Sequence, residues 1–449
     1  MNSSNQLEIS SSVAPDDNLA DVSTPDLPRR KAANVDKAAK IVKETTALLH
    51  SPWRIVPLVG KVVSDAVRIR FEHRHLYSYT KTRRESGSIL SLLLRWILQA
   101  QQPDGGIAAY YSLLAGYSAS YPEVTGYIVP TLYDYAQQVS DGRLGRETIA
   151  AAERATDWLL FLQIPNGAFP AGLHGATAEA SIFNTGQILQ GLIRAHAETN
   201  RHEILRGSIL AADYLIRMQQ PDGSWSGTGA YQGSAHTYYS MVAWPLALLS
   251  LETADPLYAR AAETNLDWVL SQFQPNGWIN GMNLHGHPNY LHFIAYALQG
   301  ALECGVLLQR NDAVEAVANS AWICLRRFEA NKFLCGAYDG SFNNGRRFIC
   351  LTGNAQMSCV WLRLFEITGE LRYLNAALKM NEMLKQLIST RGAQGIAGGV
   401  SGSYPVWGRY QPLRYISWGC KFFADALLLE QRIKRSIESS AVEALPCAS

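Results

Sequence analysis

The sequence predicts an all-α protein, an (α/α)6 toroid of six helical hairpins. The first observation behind this prediction is a glycine turn that recurs six times, each time after a helix-like segment and with an aliphatic or aromatic residue close behind the glycine. The glycines of the six turns are Gly105, Gly167, Gly223, Gly277, Gly340 and Gly398. The second observation is their spacing of 54 to 63 residues, because a regular internal period of this size is the mark of a repeat architecture.

A repeat of this length has room for two helices of about 15–20 residues and two short loops. One hairpin cannot bury its apolar face alone, so six in a row most simply close into inner and outer rings of helices around a cavity. The composition suits such a globular body, since 47% of the residues are apolar and 17% are charged. We therefore expect the function to lie in the central cavity.

Four segments follow from the patterning along the chain. Residues 1–33 are polar and rich in Ser and Asp, which predicts a disordered arm, and residues 34–85 are predicted to be a helical lead-in. Residues 86–431 hold the repeats and form the toroid, and residues 432–449 are expected to be a frayed tail. The lead-in contains a basic stretch that is either a solvated helix face or a contact for an anionic surface or partner. This stretch comprises Arg68, Arg70, Arg74, Lys81, Arg83 and Arg84.

Within a repeat, the outer helix comes before the turn and the inner helix after it. Residues 156–163 carry Leu, Trp and Phe at helical spacing, and a proline followed by Asn-Gly then ends that helix. The next segment begins 14–20 residues later with polar and small residues and becomes almost wholly apolar, as in residues 184–192 and 292–298. A helix that is apolar most of the way round is buried, as an inner-ring helix would be.

Charge and cysteine content limit the possible partners and compartments. A formal net charge of +2 gives no electrostatic basis for binding nucleic acid. The seven cysteines are scattered and odd in number without a Cys-x-x-Cys pair, which indicates reduced thiols. Residues 1–30 lack the apolar core of a signal peptide, and no run reaches the ~20 apolar residues of a membrane span. These features predict a cytoplasmic protein with no membrane span.

One turn resembles a motif of another toroid class. Residues 219–225 fit Gln-x-x-x-Gly-x-Trp, the turn repeat of terpenoid cyclases and their prenyltransferase-like relatives, and residues 163–169 are a weaker copy. The resemblance implies turns that brace the outer helices and carry no chemistry. The chain lacks that superfamily's Asp-x-Asp-Asp acid and its Asp-x-Cys zinc pattern. An isoprenoid cyclase or transferase therefore stays as an alternative from a different enzyme class.

Other segments are similar to six-hairpin proteins encoded with bacterial exopolysaccharide synthesis, and to six-hairpin glycosidases, lyases and sugar epimerases. The similar segments are residues 121–127, 183–187, 352–356, 402–408 and 418–427. The resemblance spans roughly residues 95–430. It implies a protein that acts on or binds a polysaccharide or oligosaccharide, with polysaccharide-synthesis machinery as a further possible partner. No catalytic residue is carried over from it.

Aligning the repeats on their glycines places polar or aromatic residues at the start of every inner helix. The six pairs are Glu123 and Tyr127, Asn184 and Gln187, His236 and Tyr239, His292 and Tyr296, Asn354 and Gln356, and Trp418 and Lys421. In a closed toroid all six helix starts open on one mouth of the cavity. A single Asn could simply cap a helix, and a single Tyr could belong to the core. Recurrence in six repeats favours a ring that stacks on and hydrogen-bonds to a sugar chain.

The first reaction class for this ring is proton abstraction next to a uronate carboxylate, by a lyase or a C5-epimerase. Such a reaction needs neutral donors for the enolate-like charge, together with a base and an acid at the sugar ring. Asn184 and Gln187 are the predicted carboxylate donors. The candidate catalytic residues are His236, Tyr239, His292, Tyr296 and Glu123.

Glycoside hydrolysis is the second reaction class, and it usually requires two carboxyl groups. Only Glu123 and Asp339 stand out near turns or helix starts, and Asp339 belongs to the repeated turn, where bracing explains it better. Hydrolysis therefore ranks behind elimination and epimerisation. A non-catalytic glycan-binding subunit of a synthesis complex would keep an aromatic platform but lack a converging acid–base pair. That platform consists of Trp407, Tyr410 and Trp418.

The predicted substrate-binding set combines ring members with Trp407 of the aromatic platform. It comprises Tyr127, Asn184, Gln187, Asn354, Gln356, Trp407, Trp418 and Lys421. The three histidines His285, His287 and His292 could be zinc ligands, but no Cys, Asp or Glu accompanies them at ligand spacing, so no metal is expected. No phosphate-binding loop, dinucleotide fingerprint or Gly-x-Ser-x-Gly elbow occurs, so no cofactor is expected.

Overall fold

The fold consists of thirteen α-helices and nine short strands within the part of the chain that has described positions. The computed structural model describes residues 46, 51–72, 84–138, 142–282, 284, 287–340, 342, 345 and 348–443. The predicted arm, residues 1–33, lies outside the described residues. Residues from Ser51 onward belong to one compact unit.

A short 3-10 turn at Pro52–Arg54 precedes the first helix. The helices are α1 (Ile55–Glu72), α2 (Ser86–Ala100), α3 (Pro122–Gln138), α4 (Gly142–Leu162), α5 (Ile182–Thr199), α6 (His202–Met218), α7 (Ser240–Thr253), α8 (Pro256–Ser271), α9 (Leu291–Leu307), α10 (Asn311–Asn331), α11 (Leu351–Thr368), α12 (Leu371–Leu387) and α13 (Ser417–Glu443). The predicted end of the toroid is residue 431, and the last helix continues beyond it as far as Glu443.

The helices form two concentric rings. Helices α3, α5, α7, α9, α11 and α13 each contact the next in this order, and α13 contacts α3, which closes the inner ring. Each of the first five inner helices packs on the outer helix that follows it, while α13 packs on α2 from the other end of the repeats. The predicted (α/α)6 toroid of six hairpins is therefore confirmed.

Burial follows the predicted division between inner and outer helices. In α9, every residue from Leu291 to Gly305 except Phe293 is buried, as expected of a helix enclosed on all sides. Outer helix α6 instead buries a single stripe, which includes Ile204, Ala211 and Leu215. Each inner helix thus packs between its ring neighbours and its outer partner.

The glycine turns connect neighbouring outer helices. Gln219 Nε2 donates to the carbonyl of Gly223 within its own turn, at 3.1 Å, and to the carbonyl of Ala261 on α8, at 2.9 Å. Gln163 makes the same pair of bonds one repeat earlier. Gly223 has a φ of +86°, and a Cβ there would lie 2.1 Å from the carbonyl oxygen of Thr264, so only glycine fits. These contacts match the bracing role that the turn resemblance implies.

Short antiparallel strands connect the loops that precede the inner helices. They are β1 (Tyr110–Ser112), β2 (Gly116–Tyr117), β3 (Phe169–Pro170), β4 (Ala180–Ser181), β5 (Asn289–Tyr290), β6 (Ala337–Tyr338), β7 (Ile349–Cys350), β8 (Ser403–Tyr404) and β9 (Arg414–Ile416). Pairing of β1 with β9 brings the first and last loops together, with Tyr111 opposite Tyr415. The β5–β6 and β7–β8 pairs link successive connections in the same way. The loops thus form a layer at the end of the ring where the inner helices begin.

Within the described part of the chain, no helix has the length and apolar character that crossing a membrane requires. The six cysteines with described positions are all buried free thiols.

Candidate active site

A cavity of about 530 Å³ lies where the inner helices begin. Its walls come from the first turns of α3, α5, α9 and α13 and from the loops that precede the inner helices. Aromatic side chains dominate the lining: Tyr121, Tyr127, Phe183, Tyr231, Tyr238, Phe293, Tyr296, Tyr410 and Trp418. Its polar side chains are Glu123, Glu179, Ser181, Asn184, Gln232, His292 and Gln411. Aromatic faces with a few polar groups are suited to holding a sugar ring.

Glu123 is the carboxyl group placed at the start of α3. It is the second residue of that helix and accepts a hydrogen bond from the Tyr121 hydroxyl. Burial raises the pKa of Glu123 to about 7, although the hydrogen bond from Tyr121 acts in the opposite direction. The carboxyl group is therefore populated in both protonation states near neutral pH, so it can either donate or accept a proton.

His292 occupies the equivalent position, the second residue of α9, and is buried. Its Nδ1 lies 2.6 Å from Gln356 Oε1 on α11, so Nδ1 carries the hydrogen and donates it to the amide oxygen. The other ring nitrogen, Nε2, then holds a free lone pair. Burial lowers the pKa of His292 to about 4, against the effect of the Gln356 bond. His292 is consequently a neutral imidazole at physiological pH and can accept a proton.

Two tyrosines lie one helical turn beyond these groups, Tyr127 after Glu123 and Tyr296 after His292. The ring centroids of His292 and Tyr296 are 4.2 Å apart. Burial, with a further contribution from Glu123, holds the pKa of Tyr296 well above its ordinary value, so its hydroxyl stays protonated. That hydroxyl is buried and lies near the Tyr127 hydroxyl, which acts on its pKa as a hydrogen-bond donor. The hydrogen of the Tyr296 hydroxyl is therefore available to an oxygen of a bound molecule.

Other aromatic side chains make up fixed walls. Tyr238 and Phe293 stack with centroids 5.4 Å apart. Trp418 Nε1 donates to the Tyr410 hydroxyl at 2.9 Å, which fixes both rings in the lining. Walls held in this way present flat apolar faces without a cost in side-chain entropy when a ligand binds.

His236 and Tyr239, two of the predicted catalytic residues, do not line the cavity but contact the loop that does. His236 Nε2 lies 3.0 Å from the carbonyl oxygen of Tyr231, and the Tyr239 hydroxyl accepts from the Tyr231 amide at 2.8 Å. These bonds hold Tyr231 in the cavity wall. The pair therefore supports the site from behind.

The predicted amide residues are bonded to backbone groups. Gln187 Nε2 donates to the Met241 carbonyl on the next inner helix, at 3.0 Å. Asn354 pairs with the backbone of Leu334 on both its amide atoms. Asn184 lines the cavity, yet its Nδ2 donates to the Pro170 carbonyl at 2.9 Å. Gln356, as described above, supports His292. The structure thus brings Asn184 to the cavity and places the other three amides behind it.

Lys421 and Trp407 lie outside the lining. Lys421 Nζ is 2.6 Å from Asp425 and 5.6 Å from the ring centroid of Tyr127, so it is ion-paired behind one of the cavity's tyrosines. Asp425 also accepts from the Thr131 hydroxyl at 2.7 Å. Trp407 is 42% exposed. The aromatic platform predicted from Trp407, Tyr410 and Trp418 therefore contributes only its last two members to the cavity.

Several lining residues escaped the sequence analysis, notably Tyr121, Phe183, Tyr231 and Tyr238. Tyr121 and Phe183 lie within the segments that carried the carbohydrate resemblance, which is the one signal that could have identified them. Tyr231 lies in the loop that precedes α7, and Tyr238 lies just before the first residue of that helix. His285 lies outside the described residues, and among the residues with described positions no group of three or more His, Cys, Asp or Glu could hold a metal ion.

Comparison with known proteins identifies the fold. No family model matches the sequence, and no curated protein does. Solved structures do match. An unsaturated glucuronyl hydrolase from a Bacillus species is 16% identical, with 79% of this chain and 98% of that chain covered and a TM-score of 0.61. A cellobiose 2-epimerase from Bacillus thermoamylovorans is 11% identical, with 78% and 97% covered and a TM-score of 0.63. A sugar epimerase from a ruminal bacterium is 12% identical, with 78% and 98% covered and a TM-score of 0.64.

Proposed function

We propose that this protein is a carbohydrate-processing enzyme that binds a sugar unit in the cavity and transfers protons through Glu123 and His292. One observation carries the proposal: a carboxyl group with a pKa of about 7 and an imidazole with a pKa of about 4 line the same cavity. Their environments move the two pKa values in opposite directions, so near neutral pH a proton donor and a proton acceptor coexist.

Proton transfer at a ring carbon is the first mechanism. His292 Nε2 removes the proton from the carbon next to a carboxylate or carbonyl group, and the electron pair moves onto the oxygen of that group. The Tyr296 hydroxyl donates a hydrogen bond to the oxygen while it carries the charge. Protonated Glu123 then either returns a proton to the carbon, which gives epimerisation, or protonates the leaving oxygen, which gives elimination.

The sugar acted on is proposed to be a uronate unit of an exopolysaccharide. The sequence resemblance supports the exopolysaccharide, and the names of the solved structures, a glucuronyl hydrolase and sugar epimerases, support a sugar substrate. Asn184 and Gln187 have amide groups that are bonded to backbone carbonyls. The Tyr296 hydroxyl is therefore a better donor for the carboxylate. The polar groups His292 and Asn184 in the lining favour a sugar over an isoprenoid hydrocarbon.

Hydrolysis of a glycosidic bond is the second candidate. A carboxyl group whose pKa is raised to about 7 suits the general acid of a glycosidase, and Glu179 supplies a second carboxyl group in the lining. Hydrolysis would make turnover depend on Glu179, and a Glu179→Gln variant would be inactive. Proton transfer at carbon uses Glu123, His292 and Tyr296 and would survive that substitution.

The test is incubation of the purified protein with uronate-containing and neutral polysaccharides in deuterated water. The ultraviolet absorbance of a new double bond, deuterium in the sugar ring and new reducing ends are followed together. Deuterium uptake without cleavage identifies an epimerase, an unsaturated product a lyase, and a saturated new reducing end a hydrolase. Binding without any of these products would contradict enzymatic function and favour a glycan-binding subunit.

A further inference from the structure

Helix α1, which lies outside the two rings, exposes an apolar stripe. Val56, Val59, Val63 and Val67 follow one another at spacings of three and four residues, so they lie on one face of the helix. They are 75%, 51%, 53% and 49% exposed. Trp53, in the turn just before the helix, is 61% exposed and stacks on the guanidinium of Arg54 at 4.8 Å. We call these five apolar residues the α1 face.

The opposite side of α1 is fixed to the toroid. Leu58 and Val62 pack against the hydrophobic core. Asp65 is fully buried and accepts a hydrogen bond from the Val406 amide at 2.9 Å, while Lys61 pairs with it at 2.8 Å. Packing among the residues with described positions therefore explains one side of α1 and gives the α1 face no partner. A row of four exposed valines is costly in water and indicates a binding partner.

Charge around α1 indicates what kind of partner this is. Residues 29–84 contain fourteen Lys or Arg and four Asp or Glu, a net charge of +10, whereas the whole chain carries +2. The positive charge is therefore concentrated in the stretch of sequence that contains this helix, and the remainder of the chain is net negative. An apolar helix face with an adjacent Trp, set in strongly basic sequence, is the pattern of a helix that lies in the interface of an anionic bilayer. A second copy of this chain would bring two such positive regions together, which disfavours a dimer through this face.

The position of α1 relates it to the active site. Asp65 of α1 contacts Val406, which lies between β8 and β9 in the loop layer. Arg54, in the turn just before α1, contacts Gly116 in β2, where a Cβ would lie 2.5 Å from the guanidinium. That layer lies at the end of the ring where the cavity opens. A surface held by the α1 face would therefore be at the mouth end of the toroid.

We propose that the α1 face docks on an anionic membrane surface, with the valines and Trp53 in the lipid interface. The enzyme would thereby work next to the bilayer, on glycans presented at the membrane. Docking does not depend on the reaction proposed for the cavity, because the two surfaces share no residue.

The experiment is co-sedimentation of the full-length protein with phosphatidylcholine vesicles that contain or lack phosphatidylglycerol. The double variant Val56→Asp/Val63→Asp places charges on the α1 face at two exposed positions. The matched control is Phe161→Asp/Leu251→Asp, since both residues are exposed apolar side chains of the toroid, 82% and 67% exposed. Circular dichroism and the elution volume on size exclusion establish that all three proteins are folded and show their oligomeric state.

We expect the wild-type protein to bind the anionic vesicles and to bind neutral vesicles at least about tenfold more weakly, with binding reduced by added salt. The α1 variant should lose binding by about tenfold or more, and the control should bind as the wild type does. Equal binding by the α1 variant would overturn the proposal, because the basic sequence alone would then suffice. Absence of vesicle binding, or a wild-type dimer that the α1 variant converts to a monomer, would also overturn it.

Discussion

Glu123 gives a quantitative prediction that needs no substrate. A Glu123→Gln variant keeps the shape of the side chain and can still accept a hydrogen bond from Tyr121, but it can no longer ionise. A pKa of about 7 in the folded protein against an ordinary 4.5 corresponds to about 3 kcal/mol, because tenfold in an acid constant is about 1.4 kcal/mol. This free energy destabilises the wild-type protein only at pH values where the carboxyl group is ionised.

The sign of the effect follows from the raised pKa. Below pH ~4.5 the carboxyl group is neutral in both the folded and the unfolded protein, so ionisation costs nothing. Between pH ~4.5 and 7 the unfolded chain ionises first, and the wild-type protein loses stability until the folded protein also ionises above pH ~7. The stability difference is the free energy of unfolding of Glu123→Gln minus that of the wild type. This difference should therefore be about 3 kcal/mol larger at pH ~8 than at pH ~4.5.

Urea denaturation of both proteins across this pH range measures this stability difference. The pH dependence that comes from the other titrating groups is the same in both proteins and cancels. Glu179→Gln is the matched control, since Glu179 lines the same cavity but is exposed to solvent. Its stability difference from the wild type should stay within about 0.5 kcal/mol at every pH. A Glu123→Gln difference that is equally flat would refute the account of a desolvated, proton-donating carboxyl group.

Three further predictions concern turnover and the fold. With the sugar substrate, kcat/KM measured against pH should rise through about 4 as His292 loses its proton and fall through about 7 as Glu123 loses its own. His292→Ala should lower kcat by about 10²–10⁴-fold while calorimetry shows retained sugar binding; unchanged kcat would exclude His292 as the base. Gly223→Ala should destabilise the protein by more than about 2 kcal/mol in thermal unfolding, because φ is +86° and its Cβ would meet the Thr264 carbonyl oxygen; a smaller loss would contradict the bracing role of the turn.

The architecture could be predicted from the sequence because its determinants are local and repeated. A glycine that needs a left-handed turn leaves a visible signal, and six such signals at a similar spacing define six hairpins. Alignment of the repeats also predicts that Glu123 and His292 lie at the starts of inner helices, where the structure has them. What the repeats could not show is that the last inner helix, α13, pairs with α2 from the opposite end of the toroid sequence.

The detailed site could not be predicted because its contacts are far apart along the chain. The bond between His292 and Gln356 joins residues 64 positions apart, and it determines which imidazole nitrogen is free. Gln187 and Asn184 both lie near the start of α5, but the side chain of Gln187 bonds to the backbone of the next inner helix. Alignment of the repeats identifies which residues begin an inner helix. Whether such a side chain faces the cavity or a neighbouring helix depends on packing that the repeat pattern does not encode.

The central claim is that Glu123 and His292 act together on a sugar in the cavity. The most direct measurement is the deuterated-water assay on the variants Glu123→Gln and His292→Ala, with sugar binding measured in parallel. The control is Glu147→Gln, a partly exposed residue of outer helix α4 that pairs with Arg143. We predict that both cavity variants bind the sugar and lose turnover by about 100-fold or more, while the control is fully active. Full turnover by either cavity variant would contradict the claim.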